Sequence, residues 1–78
     1  MTKRTILLIE DEAAISEPLA AALGREGFEA LVAGTAARGL ELFASRAPDL
    51  VLLDVMLPDG DGRDLLRRIR ETSRTPVI

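Results

Sequence analysis

The stretch Thr5-Ile6-Leu7-Leu8-Ile9-Glu10-Asp11-Glu12 decides how this chain is read, because an unbroken apolar run passes directly into three carboxylates. An Ile/Leu run without polar alternation belongs to a parallel strand covered on both faces. In open parallel sheets ligands sit beyond the carboxyl ends of the strands, so acids placed there are candidate working groups. A second stretch repeats the pattern: Leu50-Val51-Leu52-Leu53 is apolar throughout and ends at Asp54. If the two strands are parallel neighbours joined by right-handed crossovers, Glu10, Asp11 and Asp54 meet at one end of the sheet.

Around these strands the hydrophobic period alternates between short runs and helical spacing, the mark of βαβ units. The first helix carries Ile15, Leu19, Ala22 and Leu23 on its buried face. Pro18 would lose a hydrogen bond and clash inside it, so the regular helix is expected to begin near Ser16 as N-cap and to end at Gly27. A second strand spans Phe28 to Ala33. Thr35 then caps a second helix with Ala36, Leu40, Phe43 and Ala44 inward, weakened by Gly39. After Asp54, the segment from Val55 to Gly62 reads as a loop. Asp61 and Asp64 resemble a capping pair for a third helix, with Leu65, Leu66 and Ile69 inward and Arg63, Arg67 and Arg70 mostly outward. Thr75-Pro76-Val77-Ile78 reads as the beginning of a fourth strand.

With 78 residues the chain forms at most one small domain, and 47% hydrophobic with 29% charged residues is a folded composition. It has no cysteine and no histidine, which excludes disulfide frames, histidine-based triads and zinc hydrolases. The apolar stretch after Met1-Thr2-Lys3-Arg4 stops at Glu10, too short for a signal peptide or membrane span, so a cytoplasmic protein is expected. A net charge of −3 argues against non-specific nucleic-acid binding. The arginines at 63, 67, 68, 70 and 74 accordingly read as a solvated helix face. Asp59 and Asp61 read as turn and cap residues, and the Met56 side chain as packing.

Three clustered carboxylates repel one another, so either some hold protons at raised pKa or a cation neutralises them. A set of oxygen donors suits Mg²⁺, with Mn²⁺ the alternative. Such an ion also screens a phosphoryl group and lets a carboxylate attack phosphorus, which makes Asp54 the natural nucleophile.

Ile9-Glu10-Asp11-Glu12 and Leu53-Asp54-Val55-Met56-Leu57-Pro58, with Gly62 closing the loop, make the chain resemble the receiver domain of bacterial two-component response regulators, especially the winged-helix transcription-factor class. The resemblance covers essentially the whole chain. It implies a flavodoxin-like α/β fold, a doubly wound parallel sheet in the order 2-1-3-4-5. The chain would hold its first three strand-helix units and the start of the fourth strand. It further implies that Asp54 is the phosphoacceptor and that Glu10 and Asp11 ligate Mg²⁺ together with the Met56 backbone carbonyl, Glu12 being peripheral. The implied partner is a sensor histidine kinase, and DNA is reached only through an output domain that this chain lacks.

Receivers also place a Ser or Thr after strand four and a Lys after strand five. Here the sole lysine is Lys3, and Thr72, Ser73 and Thr75 precede the last strand. Residues 1–78 therefore read as the amino-terminal portion of one receiver domain, with impaired switching. Its open sheet edge would be covered by a complementing chain or an exchanged homodimer.

Competing functions fit less well. A haloacid-dehalogenase-type phosphohydrolase needs a second aspartate where Met56 stands, so the chain does not read as an enzyme. A nucleotide binder needs a Gly-rich loop where Glu10-Asp11-Glu12 stands, and Gly60-x-Gly62 lacks a third glycine at Leu65. An interaction module using the receiver fold without phosphorylation is the remaining alternative.

Overall fold

In the computed structural model, which describes residues 3–78, the first strand, β1 (Thr5–Ile9), lies at the centre of a three-stranded parallel sheet. It is flanked by β2 (Glu29–Ala33) and β3 (Leu50–Leu53), in the order β2-β1-β3. Ile9 is level with Ala33 on one side and Leu53 on the other. Ile6, Leu7, Leu8 and Ile9 are all buried, as expected of a central strand covered on both faces.

Because strand side chains alternate, the sheet builds two different layers. Leu7, Ile9, Ala33 and Val51 face α2 (Ala36–Arg46) and α3 (Gly62–Thr72), where Leu42, Leu65 and Ile69 complete a single core cluster. The opposite face is covered by α1 (Ala13–Arg25) alone. Ile15 and Leu19, placed inward by the helical period, are 50% and 39% exposed. Among the described residues no second helix lies beside α1 on this face, and these side chains border an open hollow with Leu8, Leu52 and Ile78.

The start of α1 also departs from expectation. The helix begins at Ala13 with Glu12 as N-cap, and Ser16 lies buried inside it. Pro18 is tolerated because Ala14, whose carbonyl loses its partner, is itself exposed, and water can satisfy that group. The other end agrees with the sequence. Gly27, at φ 92°, donates to the Gly24 carbonyl while Phe28 donates to that of Leu23, the paired bonds of a glycine-terminated helix.

Thr35 caps α2 as anticipated, its hydroxyl accepting from the Arg38 amide at 3.1 Å. Ala44, expected inward, is exposed; the face is centred instead on Gly39 and Leu42. Gly39 makes the contact possible, since a Cβ there would stand 2.8 Å from Cδ1 and 3.2 Å from Cγ1 of the buried Ile9. Gly39→Ala gains about 1 kcal/mol of helix propensity. Against that stands about 1–3 kcal/mol of overpacking. The expected result is a net loss near 1 kcal/mol in urea denaturation, and a stabilised variant would show that Ile9 can move aside.

Beyond β3 the segment read as a loop contains a small antiparallel hairpin, β4 (Met56–Leu57) with β5 (Gly60–Asp61). Leu57 reaches the core, but Met56 is 82% exposed, so its side chain does not pack as expected. In α3, Leu65 and Ile69 are buried, Leu66 is half-buried, and the arginines face outward. The fourth strand begins as read: Val77 pairs in parallel with Val51, and Leu53 donates to the Ile78 carbonyl at 2.9 Å.

Candidate metal centre

Ile9 and Leu53 are register partners, so the residues that follow them emerge at the same end of the sheet. The backbone holds that end firmly. The Asp54 amide donates to the Ile9 carbonyl and the Glu10 amide to the Ala33 carbonyl, both at 2.9 Å. As a result one carboxylate oxygen from each of Glu10, Asp11 and Asp54 lies within 4.8 Å of the others. Glu10 and Asp54 are half-buried and Asp11 is exposed. The sequence brought these residues together by topology, and the structure agrees.

Local bonds orient two of the three. The Met56 amide donates to Oδ1 of Asp54 at 3.0 Å, a turn that holds the carboxylate against the following backbone. The Glu12 amide donates to Oε2 of Glu10 at 3.2 Å. Glu12 itself is the N-cap of α1, its carbonyl accepting from Ile15 and Ser16. The positive end of that helix therefore lies beside the acids and partly offsets their charge.

The offset is incomplete. The Glu12 amide draws the Glu10 carboxyl down, yet its partial desolvation and the neighbouring carboxylates of Asp54 and Asp11 together outweigh that bond and leave it raised. Among the described residues the ion pairs are Arg38–Glu41, Arg46–Glu29, Arg63–Asp61 and Arg67–Asp64, and none involves the cluster. Three oxygen-bearing acids without a basic partner are a donor set for a hard divalent cation.

The loop behind Asp54 is held by close backbone contact. Gly62 donates to the Val55 carbonyl at 2.7 Å, and a Cβ on Gly62 would lie 2.5 Å from the Asp54 carbonyl oxygen. Asp61 caps α3 through the Arg63 amide at 2.8 Å and pairs with the Arg63 side chain, which holds its carboxyl below the ordinary range. Asp64 turns to Arg67 instead of completing a reciprocal capping pair. Asp59, read from the sequence as a turn or cap residue, serves a distant helix: its carboxylate accepts from Ala36 at 2.7 Å and Ala37 at 3.0 Å. Those two bonds lower its pKa. The sequence carries no local signal for them, because the partners lie 23 and 22 residues away.

Comparison with known proteins identifies the family. The sequence profile of the response regulator receiver domain matches residues 6–78. The chain is 47% identical over 73 residues to the KDP operon transcriptional regulatory protein KdpE of Escherichia coli, covering 94% of this chain and 32% of that protein. It is 43% identical over 74 residues to the sensory transduction protein RegX3 of Mycolicibacterium smegmatis, covering 95% and 32%. Among solved structures, the BeF3-activated N-terminal receiver domain of Klebsiella pneumoniae RstA superposes with a TM-score of 0.90 at 36% identity, over 95% of this chain and 63% of that one. The chain thus spans about a third of the length of these curated relatives. Its parallel sheet, its acid-bearing strand ends and these likenesses agree, and the chain belongs to the response regulator receiver domain family.

Proposed function

We propose that this chain is the phosphoacceptor part of a two-component response regulator, with Asp54 receiving a phosphoryl group from a sensor histidine kinase. The observation that carries the reading is the convergence of Glu10, Asp11 and Asp54, with no ion pair to any of them among the described residues. A carboxylate oxygen of Asp54 attacks phosphorus in line, the bond from phosphorus to the donor nitrogen breaks with its electron pair staying on nitrogen, and the phosphohistidine, protonated at its other ring nitrogen, leaves as neutral imidazole; the product is an acyl phosphate. Glu10, Asp11, Asp54 and the Met56 carbonyl would hold Mg²⁺, or Mn²⁺ in its place. When bound, the ion neutralises charge that otherwise repels the incoming phosphoryl group. The three carboxylates offer the hard oxygen donors that such an ion prefers.

Residues 1–78 are read as the amino-terminal portion of one receiver domain in a cytoplasmic regulator. The transcriptional relatives support an output domain that binds DNA in the parent protein. Among the described residues no helix is long and apolar enough to cross a membrane. The exposed Ile15, Leu19 and Ile78 favour one second reading, in which a complementing chain or another copy covers the α1 side and the module works by association.

Incubation with Mg²⁺ and acetyl phosphate, followed by intact mass measurement, is expected to add one phosphoryl group to the wild-type chain and none to Asp54→Ala. Equal labelling of the two proteins would end the assignment.

A further inference from the structure

The geometry points to Asp59 as a positioning residue: by clamping the tip of the β4-β5 hairpin to the amino terminus of α2, it fixes the backbone that carries Asp54 and Met56. The inference rests on the phosphoacceptor reading for its functional consequence, and on hydrogen-bond geometry for the clamp itself.

The first amides of any helix lack partners inside it. In α2, Thr35 supplies the usual cap to Arg38, while both oxygens of Asp59 reach across to Ala36 and Ala37. Thr35 already supplies the local cap, so the bonds that arrive from a distant turn satisfy two further amides and at the same time restrain that turn. That turn has few other anchors. The hairpin strands are only two residues each, and the segment is held by the Gly62–Val55 bond, the Met56–Asp54 bond and the buried Leu57. Asp59 lies at the far end from Asp54, where a tether most reduces the swing of residues 55–58.

The residue type suits the task. Two acceptor oxygens on a short stem match two adjacent helix amides, and the negative charge is favoured at the positive end of α2. Asparagine offers one acceptor and presents an N–H to the other amide, so it preserves half of the clamp. Asp59 is exposed. The restraint therefore comes from its paired, charge-assisted bonds and not from burial.

The test compares Asp59→Ala, Asp59→Asn and Thr35→Ala in the same chain, by amide exchange without metal and by calorimetric titration with Mg²⁺. Asp59→Ala is expected to speed exchange at Met56 and Gly62 by about tenfold, with the sheet amides of Leu7 and Val51 unchanged. Its Mg²⁺ affinity should fall by up to about tenfold, the lower bound for loss of a direct partner of a metal ligand, because Asp59 acts on Asp54 and Met56 only through the backbone between them. Asp59→Asn should fall between it and the wild type. Thr35→Ala removes a cap from the same helix but keeps the tether, so it should loosen only the first turn of α2 and leave Mg²⁺ affinity within about twofold, which a purely structural role of Asp59 would not distinguish. Equal exchange at Met56 and Gly62 in Asp59→Ala and Thr35→Ala would overturn the tether. A wild-type chain that takes up no Mg²⁺ would overturn the metal reading instead, and the exchange data would still decide the clamp.

Discussion

Gly62→Ala is expected to lower the stability of the chain by about 3 kcal/mol, at the upper end of the usual overpacking range. The reason is space, not backbone conformation. Among the described residues Gly27 is the glycine at positive φ, and Gly62 has no such need. A Cβ at Gly62, however, would stand 2.5 Å from the Asp54 carbonyl oxygen and 2.8 Å from the Val55 Cα. Both are backbone atoms, and neither can rotate away as a side-chain end would. Relief requires the Asp54–Val55 peptide or the first turn of α3 to shift, and the first of these carries the proposed phosphoacceptor. A domain of this size holds roughly 4–12 kcal/mol in total, so the loss is a large share. Urea denaturation should show a lower midpoint with an unchanged slope. Gly60→Ala is the control, because nothing lies within 4 Å of a Cβ there. A Gly62→Ala protein within about 0.5 kcal/mol of the wild type would show that the turn yields more easily than its packing implies.

Asp54→Asn is expected to act in the opposite direction, stabilising the metal-free chain while abolishing its response to Mg²⁺. Two unit charges 4.8 Å apart, the outer limit of the cluster, repel by about 3 kcal/mol at an effective dielectric constant near 20. Solvent at this partly exposed site reduces the net effect to about 1 kcal/mol. The gain should shrink as salt rises. Mg²⁺ should raise the wild-type midpoint through ligand linkage and leave the variant nearly unmoved. Lowering the pH relieves the same repulsion. The folded chain holds the Glu10 proton more tightly than the unfolded chain, whose carboxyl titrates near its ordinary 4.5. This group's contribution therefore favours folding at acid pH and weakens as pH rises through the raised folded value. A wild-type chain whose stability ignores Mg²⁺ at neutral pH, or an Asn variant that loses stability without metal, would contradict the electrostatic account.

The parallel sheet and the acid cluster were legible because both depend on patterns confined to single strands. Unbroken Ile/Leu/Val runs identify buried strands, and carboxylates at their ends inherit the sheet's register. Thr35, Asp61 and Gly27 were readable for a similar reason, since their partners lie within a few residues. Features that depend on tertiary placement were less accessible. Asp59 looks like an ordinary turn residue until α2 is seen beside it. Ile15 and Leu19 follow the helical period faithfully, yet burial also needs a neighbour that the period does not supply. Pro18 shows the reverse error: a local rule shortened a helix whose exposed side tolerates the missing bond. Met56 was assigned to packing on residue type alone, whereas its strand position turns it to solvent.

The central place of β1 has a kinetic consequence. Thr5 pairs with Glu29 and Ile6 with Leu50, so β2 and β3 each pair with the first strand and not with each other. The shorter closure, which joins β1 and β2 through α1, carries the smaller entropy penalty and is favoured to come first. Asp54 then joins Glu10 and Asp11 only when β3 docks on the free edge. On the proposed metal reading, ion uptake during refolding would consequently time the docking of β3, and helix formation would run ahead of it.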